Sequence, residues 1–73
     1  MSYEDFIFMI ETKKEHEFSF KDKIYTITYG NDKNGDYIAM GQRYEPVKYY
    51  SLKELLNNAR IENHYFKEMI EIL

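Results

Sequence analysis

The chain has 73 residues, ten Lys and Arg against thirteen Asp and Glu, and no Cys; a chain of this length builds a single domain with one core. Disulfides and thiolate metal ligands are ruled out together, and a net charge of −3 with both signs interspersed argues against the basic face that nucleic-acid binding needs. No apolar run approaches the roughly 18 residues of a membrane span and no basic segment leads into an apolar one, so a soluble cytoplasmic protein with no membrane partner is expected.

Residues 2–12 read as a helix. Tyr3, Phe6, Ile7 and Ile10 recur at i, i+3, i+4 and i+7 on one face, and Ser2 with Asp5 resembles a capping box. Phe8 falls off that stripe, near Glu4 and Glu11, so it is either held by another element or exposed. Lys13 and Lys14 place cations at the helix C-terminus, where they complement the dipole.

His16, Phe18 and Phe20 then alternate with Glu17, Ser19 and Lys21, the period of a strand with one buried face. A polar turn at Lys21-Asp22-Lys23 leads into a second strand from Ile24 to Tyr29, with Tyr25, Ile27 and Tyr29 on the expected core side. Asn34-Gly35 marks the next turn. The third strand runs from Tyr37 to Gln42, and Gly41 points to a bulge within it. From Arg43 to Tyr50, Pro46 confines any strand to a sheet edge, and a short one is expected near Val47 to Tyr49.

Ser51-Leu52-Lys53-Glu54 is a capping box, with Tyr50 and Leu55 placed for a hydrophobic staple. It opens a helix from Leu52 to about Asn58, with Leu52, Leu55, Leu56 and Ala59 inward. Ile61 anchors the connection. Asn63 is the expected N-cap of a last helix from His64 to Ile72, whose apolar stripe is Tyr65, Phe66, Met69, Ile70 and Leu73. The expected class is α+β: an N-terminal helix, an antiparallel meander of three to four strands, and two C-terminal helices packed on the sheet.

Reactive chemistry is sparse. If Gly35 were the sixth residue of a calcium loop, Gly30 would stand where Asp is needed and Gly41 where the bidentate carboxylate is needed, so metal binding fails at both anchors. His16 and His64 lack a second ligand at a suitable spacing. His16, on the face of Phe18 and Phe20, reads as a partly buried imidazole, and His64 as a surface residue. Glu15 with Glu17, and Glu68 with Glu71, would need a pocket before they could pair for acid–base work. The three glycines are scattered and form no phosphate loop. No catalytic residue, metal or cofactor is assigned, and an enzyme is not expected.

A surface is the remaining candidate. Eight Tyr and five Phe make 18% of the chain aromatic, more rings than so small a core can hide, and Tyr supplies contact area with a polar tip at low entropy cost. Arg43, Tyr44, Tyr49 and Tyr50, beside a sheet edge, together with Phe8, are the expected partner-binding residues. The ordinary alternative is an edge blunted by Arg, Pro and Lys against aggregation.

The N-terminal helix with Phe6 and Ile10, the strands Glu17-Phe18-Ser19-Phe20 and Tyr25-Thr26-Ile27-Thr28-Tyr29, and Ser51-Leu52-Lys53-Glu54-Leu55-Leu56 together resemble a family of small uncharacterised proteins of Gram-positive and related bacteria. The similarity continues from Ile61 to Ile72, while Phe8 and Asn34-Gly35 are less typical of it. The resemblance implies a fold and carries no activity or site. The functional expectation is therefore a small protein–protein interaction module of accessory, inhibitor or antitoxin-like kind, binding another protein or a second copy of itself. The alternatives are weak single-stranded nucleic-acid binding on the β-surface, and a small-ligand carrier or enzyme whose pocket gathers His16 and Tyr37.

Overall fold

The structure is a computed structural model that describes residues 1–72. Helix α1 (Tyr3–Glu11) precedes four strands, β1 (His16–Phe20), β2 (Lys23–Asp32), β3 (Gly35–Gln42) and β4 (Glu45–Tyr49). Helix α2 (Leu52–Asn58), a two-stranded ribbon of β5 (Arg60–Ile61) and β6 (His64–Tyr65), and 3₁₀ turns at Phe66–Glu68 and Ile70–Ile72 complete it. No helix among the described residues is long and apolar enough to cross a membrane.

Ser2 caps α1 by accepting a hydrogen bond from the Asp5 N–H at 3.0 Å. Its buried residues are Phe6, Met9 and Ile10, so the stripe is rotated from the expected one: Met9 points inward and Tyr3 is exposed. The helix ends with Lys13 at φ 54°, the Lys13 N–H on Ile10 O and the Lys14 N–H on Met9 O. This is the double bond of a Schellman stop, with Lys where Gly is usual. The two cations thus lie beyond the last helical turn. The Tyr29 hydroxyl reaches back from β2 to donate to Lys14 O at 2.9 Å, holding this corner on the sheet.

The four strands form an antiparallel meander in the order β1-β2-β3-β4. Its first turn is Lys21-Asp22, both at positive φ (49° and 64°), and Phe20 pairs with Lys23 across it. The second turn is Lys33-Asn34, closed by the Asp32–Gly35 pair, with Gly35 carrying the positive φ of 114°. The last strand extends the expected Val47 to Tyr49 back to Glu45, and Pro46 does lie on an edge.

Register is unbroken through Gly41 on both sides, so the expected bulge is absent. Glycine is required there for a different reason. A Cβ would stand 2.9 Å from the Glu45 carbonyl oxygen and 3.2 Å from Pro46 Cα, because β4 presses against it.

One face of the sheet carries the core. Tyr25, Ile27, Ile38, Met40 and Tyr49 bury against Phe6 and Ile10 of α1, Leu55 of α2, Ile61, and Phe66, Met69 and Ile70 of the C-terminal turns. Phe66 stands edge-on to Phe6 at 5.3 Å and stacks on Phe18 at 6.0 Å, which itself stacks on Tyr25 at 5.4 Å. The opposite face carries Thr26, Thr28, Ala39, Gly41 and Lys48, of which Ala39 is buried and Lys48 exposed.

The start of α2 matches expectation: Ser51 Oγ accepts the Glu54 N–H at 3.0 Å, and Glu54 accepts the Tyr50 N–H at 3.2 Å. The last helix is a correction. Glu62 and Asn63 sit at φ 59° and 102° as the turn of the β5–β6 ribbon, a conformation that an N-cap, with its extended backbone, does not adopt. Phe66, Met69 and Ile70 are nonetheless buried, because their i, i+3, i+4 spacing serves two successive 3₁₀ turns as well as an α-helix. Leu73, included in the expected stripe, lies outside the described residues.

Candidate functional site

The five residues expected to form a partner surface fall in three places. Arg43 and Tyr44 are the two-residue turn between β3 and β4, with Gln42 paired to Glu45 beneath them. The Arg43 N–H donates to Ile24 O at 2.8 Å, tying the turn to β2, and its guanidinium lies 5.5 Å over the Tyr44 ring. Tyr49 closes the far end of β4 and is buried, so it belongs to the core and not to a surface. Tyr50 follows it, partly exposed. Phe8 is 59% exposed on α1, with the Lys14 ammonium 5.5 Å over its ring.

Among the described residues Tyr44 is the most exposed of the large apolar side chains, at 88%, and has φ 76°. Left-handed backbone costs a non-glycine residue about 1–2 kcal/mol. The chain adopts the same left-handed backbone at Lys13, Lys21, Asp22, Glu62 and Asn63, and Tyr44 differs from these in carrying a large, exposed ring. Gly or Asn would make the turn more cheaply. Beside this tip runs a groove of about 190 Å³ between β4 and the β5–β6 ribbon, lined by Met40, Val47, Tyr49, Arg60 and Glu62 among others. Val47 on its rim is 53% exposed.

A second cluster, at the other end of the sheet, was not foreseen from sequence. Asp32 Oδ2 accepts from the Tyr50 hydroxyl at 2.8 Å and from Lys48 Nζ at 3.2 Å, while Oδ1 accepts the Asn34 N–H at 2.8 Å. The Tyr50 hydroxyl above all, then the Asn34 N–H and Lys48, hold the Asp32 carboxyl below its ordinary value. The hydrogen bond to Asp32 in turn raises Lys48. The Tyr37 ring lies across Gly30, where it fills the space a Cβ would take, and Lys48 Nζ stands 4.6 Å over that ring. Tyr50 meets it edge-on at 6.1 Å, so its ring belongs to this cluster. Both carboxylate oxygens accept hydrogen bonds and the Tyr37 ring is engaged. The arrangement is a brace joining β2, β3, β4 and the start of α2.

His16 and Tyr37 do not converge. His16 stacks beside Phe18 at 6.1 Å on the core face of β1 and borders a small apolar cavity with Met1, Phe6 and Phe66, whereas Tyr37 lies on the opposite face of β3. His64 is an exposed residue of β6. Asp32 and Asp36, the acidic residues of the turn weighed as a calcium loop, are each engaged: Asp36 accepts from Asn31 Nδ2 at 2.8 Å and faces Lys13 at 3.7 Å. Among the described residues no group of three or more His, Asp or Glu is placed to hold a metal ion.

Asp32 and Lys48 are sixteen positions apart, and only the register of three strands brings them together. No local motif marks such a pair. No protein-family model, curated protein or solved structure matches the chain.

Proposed function

We propose that the protein is a small interaction module that binds another protein through the β3–β4 hairpin tip, with Arg43 and Tyr44 as the contact residues and the Val47 groove beside them. The observation that carries this reading is Tyr44, a large ring 88% exposed on a backbone conformation that disfavours it. Left-handed backbone at non-glycine residues is over-represented at functional positions, and Tyr44 joins it to a large exposed ring. A ring and a guanidinium on a tip also match the residue types that dominate binding energy at interfaces.

Binding here takes place through side chains and not by strand addition. The two-residue turn makes Gln42 and Glu45 a hydrogen-bonded pair, so Met40–Val47 and Ile38–Tyr49 are bonded pairs too, and only Pro46 and Lys48 turn their backbone groups outward from β4. Pro46 has no N–H, and the Tyr50 N–H beyond is taken by Glu54. That edge offers a single free donor.

Affinity capture from native lysate by the wild-type chain, Arg43→Glu and Tyr44→Ala tests the reading. A partner recovered by wild type and lost from both variants supports it, and the same proteins recovered by all three would refute it.

A further inference from the structure

The opposite edge of the sheet differs from β4. Phe20 and Lys23 flank a two-residue turn and form a hydrogen-bonded pair, so Phe18–Tyr25 and His16–Ile27 are bonded pairs, and Glu17 and Ser19 turn their N–H and C=O away from β2. The Arg43 N–H on Ile24 O confirms this parity, because Ile24, opposite Ser19, directs its carbonyl toward β3. Glu17 and Ser19 are both exposed. No proline interrupts β1, and none of its charged side chains points inward. It lacks those devices by which proteins usually blunt an edge.

The spacing of these open groups is self-complementary. Two copies of β1 set antiparallel about a two-fold axis through Phe18 place Glu17 of each opposite Ser19 of the other, which satisfies all four outward groups of each strand with one another. Phe18 then faces Phe18 across the axis as the close, unbonded pair, and His16 faces Phe20 on the same side. That side is the core face, where Phe18 and Phe20 are only partly buried. A second copy would continue their aromatic stack across the seam.

Within the paired residues Glu17 meets the neutral Ser19. Beyond them Glu15 comes near the ammonium of the turn residue Lys21, which also lies 3.8 Å from Glu62 of its own chain. A concavity of about 260 Å³ flanked by Glu15, Glu17 and Thr28 lies beside β1 and suits the incoming lysine. Shifting the axis to Glu17 would set two glutamates face to face. Shifting it to Ser19 would require the turn residue Lys21, at φ 49°, to continue the strand. We infer that β1 is the interface of a two-fold homodimer, paired antiparallel about Phe18 to join two four-stranded sheets into one. The occupant is a second copy of this chain, and this surface is separate from the hairpin tip.

Sedimentation of the purified protein tests this. At roughly 0.1 mM, where even a micromolar Kd gives mostly dimer, wild type is expected at twice the 8.9 kDa chain mass. Ser19→Glu sets a new carboxylate against Glu17 on both sides of the axis and is expected to raise Kd at least about tenfold. Combining it with Glu17→Lys restores opposite charges in this register, and dimer should return. Amide exchange checks the fold independently: Phe18 and Tyr25 stay protected in every variant, and Glu17 and Ser19 are protected only in dimers. A wild-type chain that stays monomeric overturns the proposal and leaves the edge to a strand of another protein. A dimer that survives Ser19→Glu, or fails to return in the double variant, overturns it as well.

Discussion

The Tyr50 hydroxyl donates to Asp32 Oδ2 at 2.8 Å, linking the residue before the α2 cap to the end of β2. Tyr50, Asn34 and Lys48 hold the Asp32 carboxyl below its ordinary 3.8, so the folded chain binds that proton less readily than the unfolded one. The stabilisation is therefore present above the unfolded value and is lost as pH falls through the lowered folded value. Asp32→Asn and Tyr50→Phe should each lower the denaturation midpoint at neutral pH, and the gap to wild type should narrow as pH falls from 3.8 toward the lowered folded value. Urea titrations at neutral and acid pH check it.

Asn63 separates a turn from a helix cap. At φ 102°, Asn63→Gly should leave stability unchanged or raise it by up to about 1 kcal/mol. Asn63→Thr should lower it by about 1–2 kcal/mol, since a β-branched residue is poorly accommodated there. At an N-cap the two variants would differ little, because Thr and Gly cap helices about equally well. Thermal melts of the two variants decide between them.

Phe66 holds the C-terminal turns, edge-on to Phe6 and stacked on Phe18. Phe66→Ala should cost about 3–5 kcal/mol, comparable with the whole stability of a domain this small. Circular dichroism should show that variant largely unfolded at room temperature, with Phe66→Leu folded but less stable.

Gly41→Ala would drive a methyl group against the Glu45 carbonyl and Pro46. A loss of about 1–3 kcal/mol is expected, as for other overpacked sites, and amides of β4 should exchange faster than those of β2.

Elements were legible in the sequence where a local pattern fixes them. Alternation placed Tyr25 and Ile27 on the core face, and Ser51 with Glu54 marked the start of α2, because each signal lies within a few residues. The C-terminal segment misled for a physical reason: three apolar positions at helical spacing bury equally well in short 3₁₀ turns, and Glu62-Asn63 turns without glycine. The tip at Arg43-Tyr44 escaped notice as a turn because it contains no Gly, Asn, Asp or Pro. Arg43 and Tyr44 are conspicuous by residue type alone, which carries no information about the turn. The Asp32–Lys48 brace and the open edge at Glu17 and Ser19 depend on register across several strands, which no local window contains.

Tyr44→Gly tests the central claim most directly, with partner capture and melting temperature read on the same sample. Glycine relieves the φ of 76° while removing the ring. The melting temperature should rise by about 4–8 °C, corresponding to about 1 kcal/mol in a chain of this size, and the captured partner should be lost. A variant that keeps its partner would contradict the assignment of the hairpin tip as the binding site.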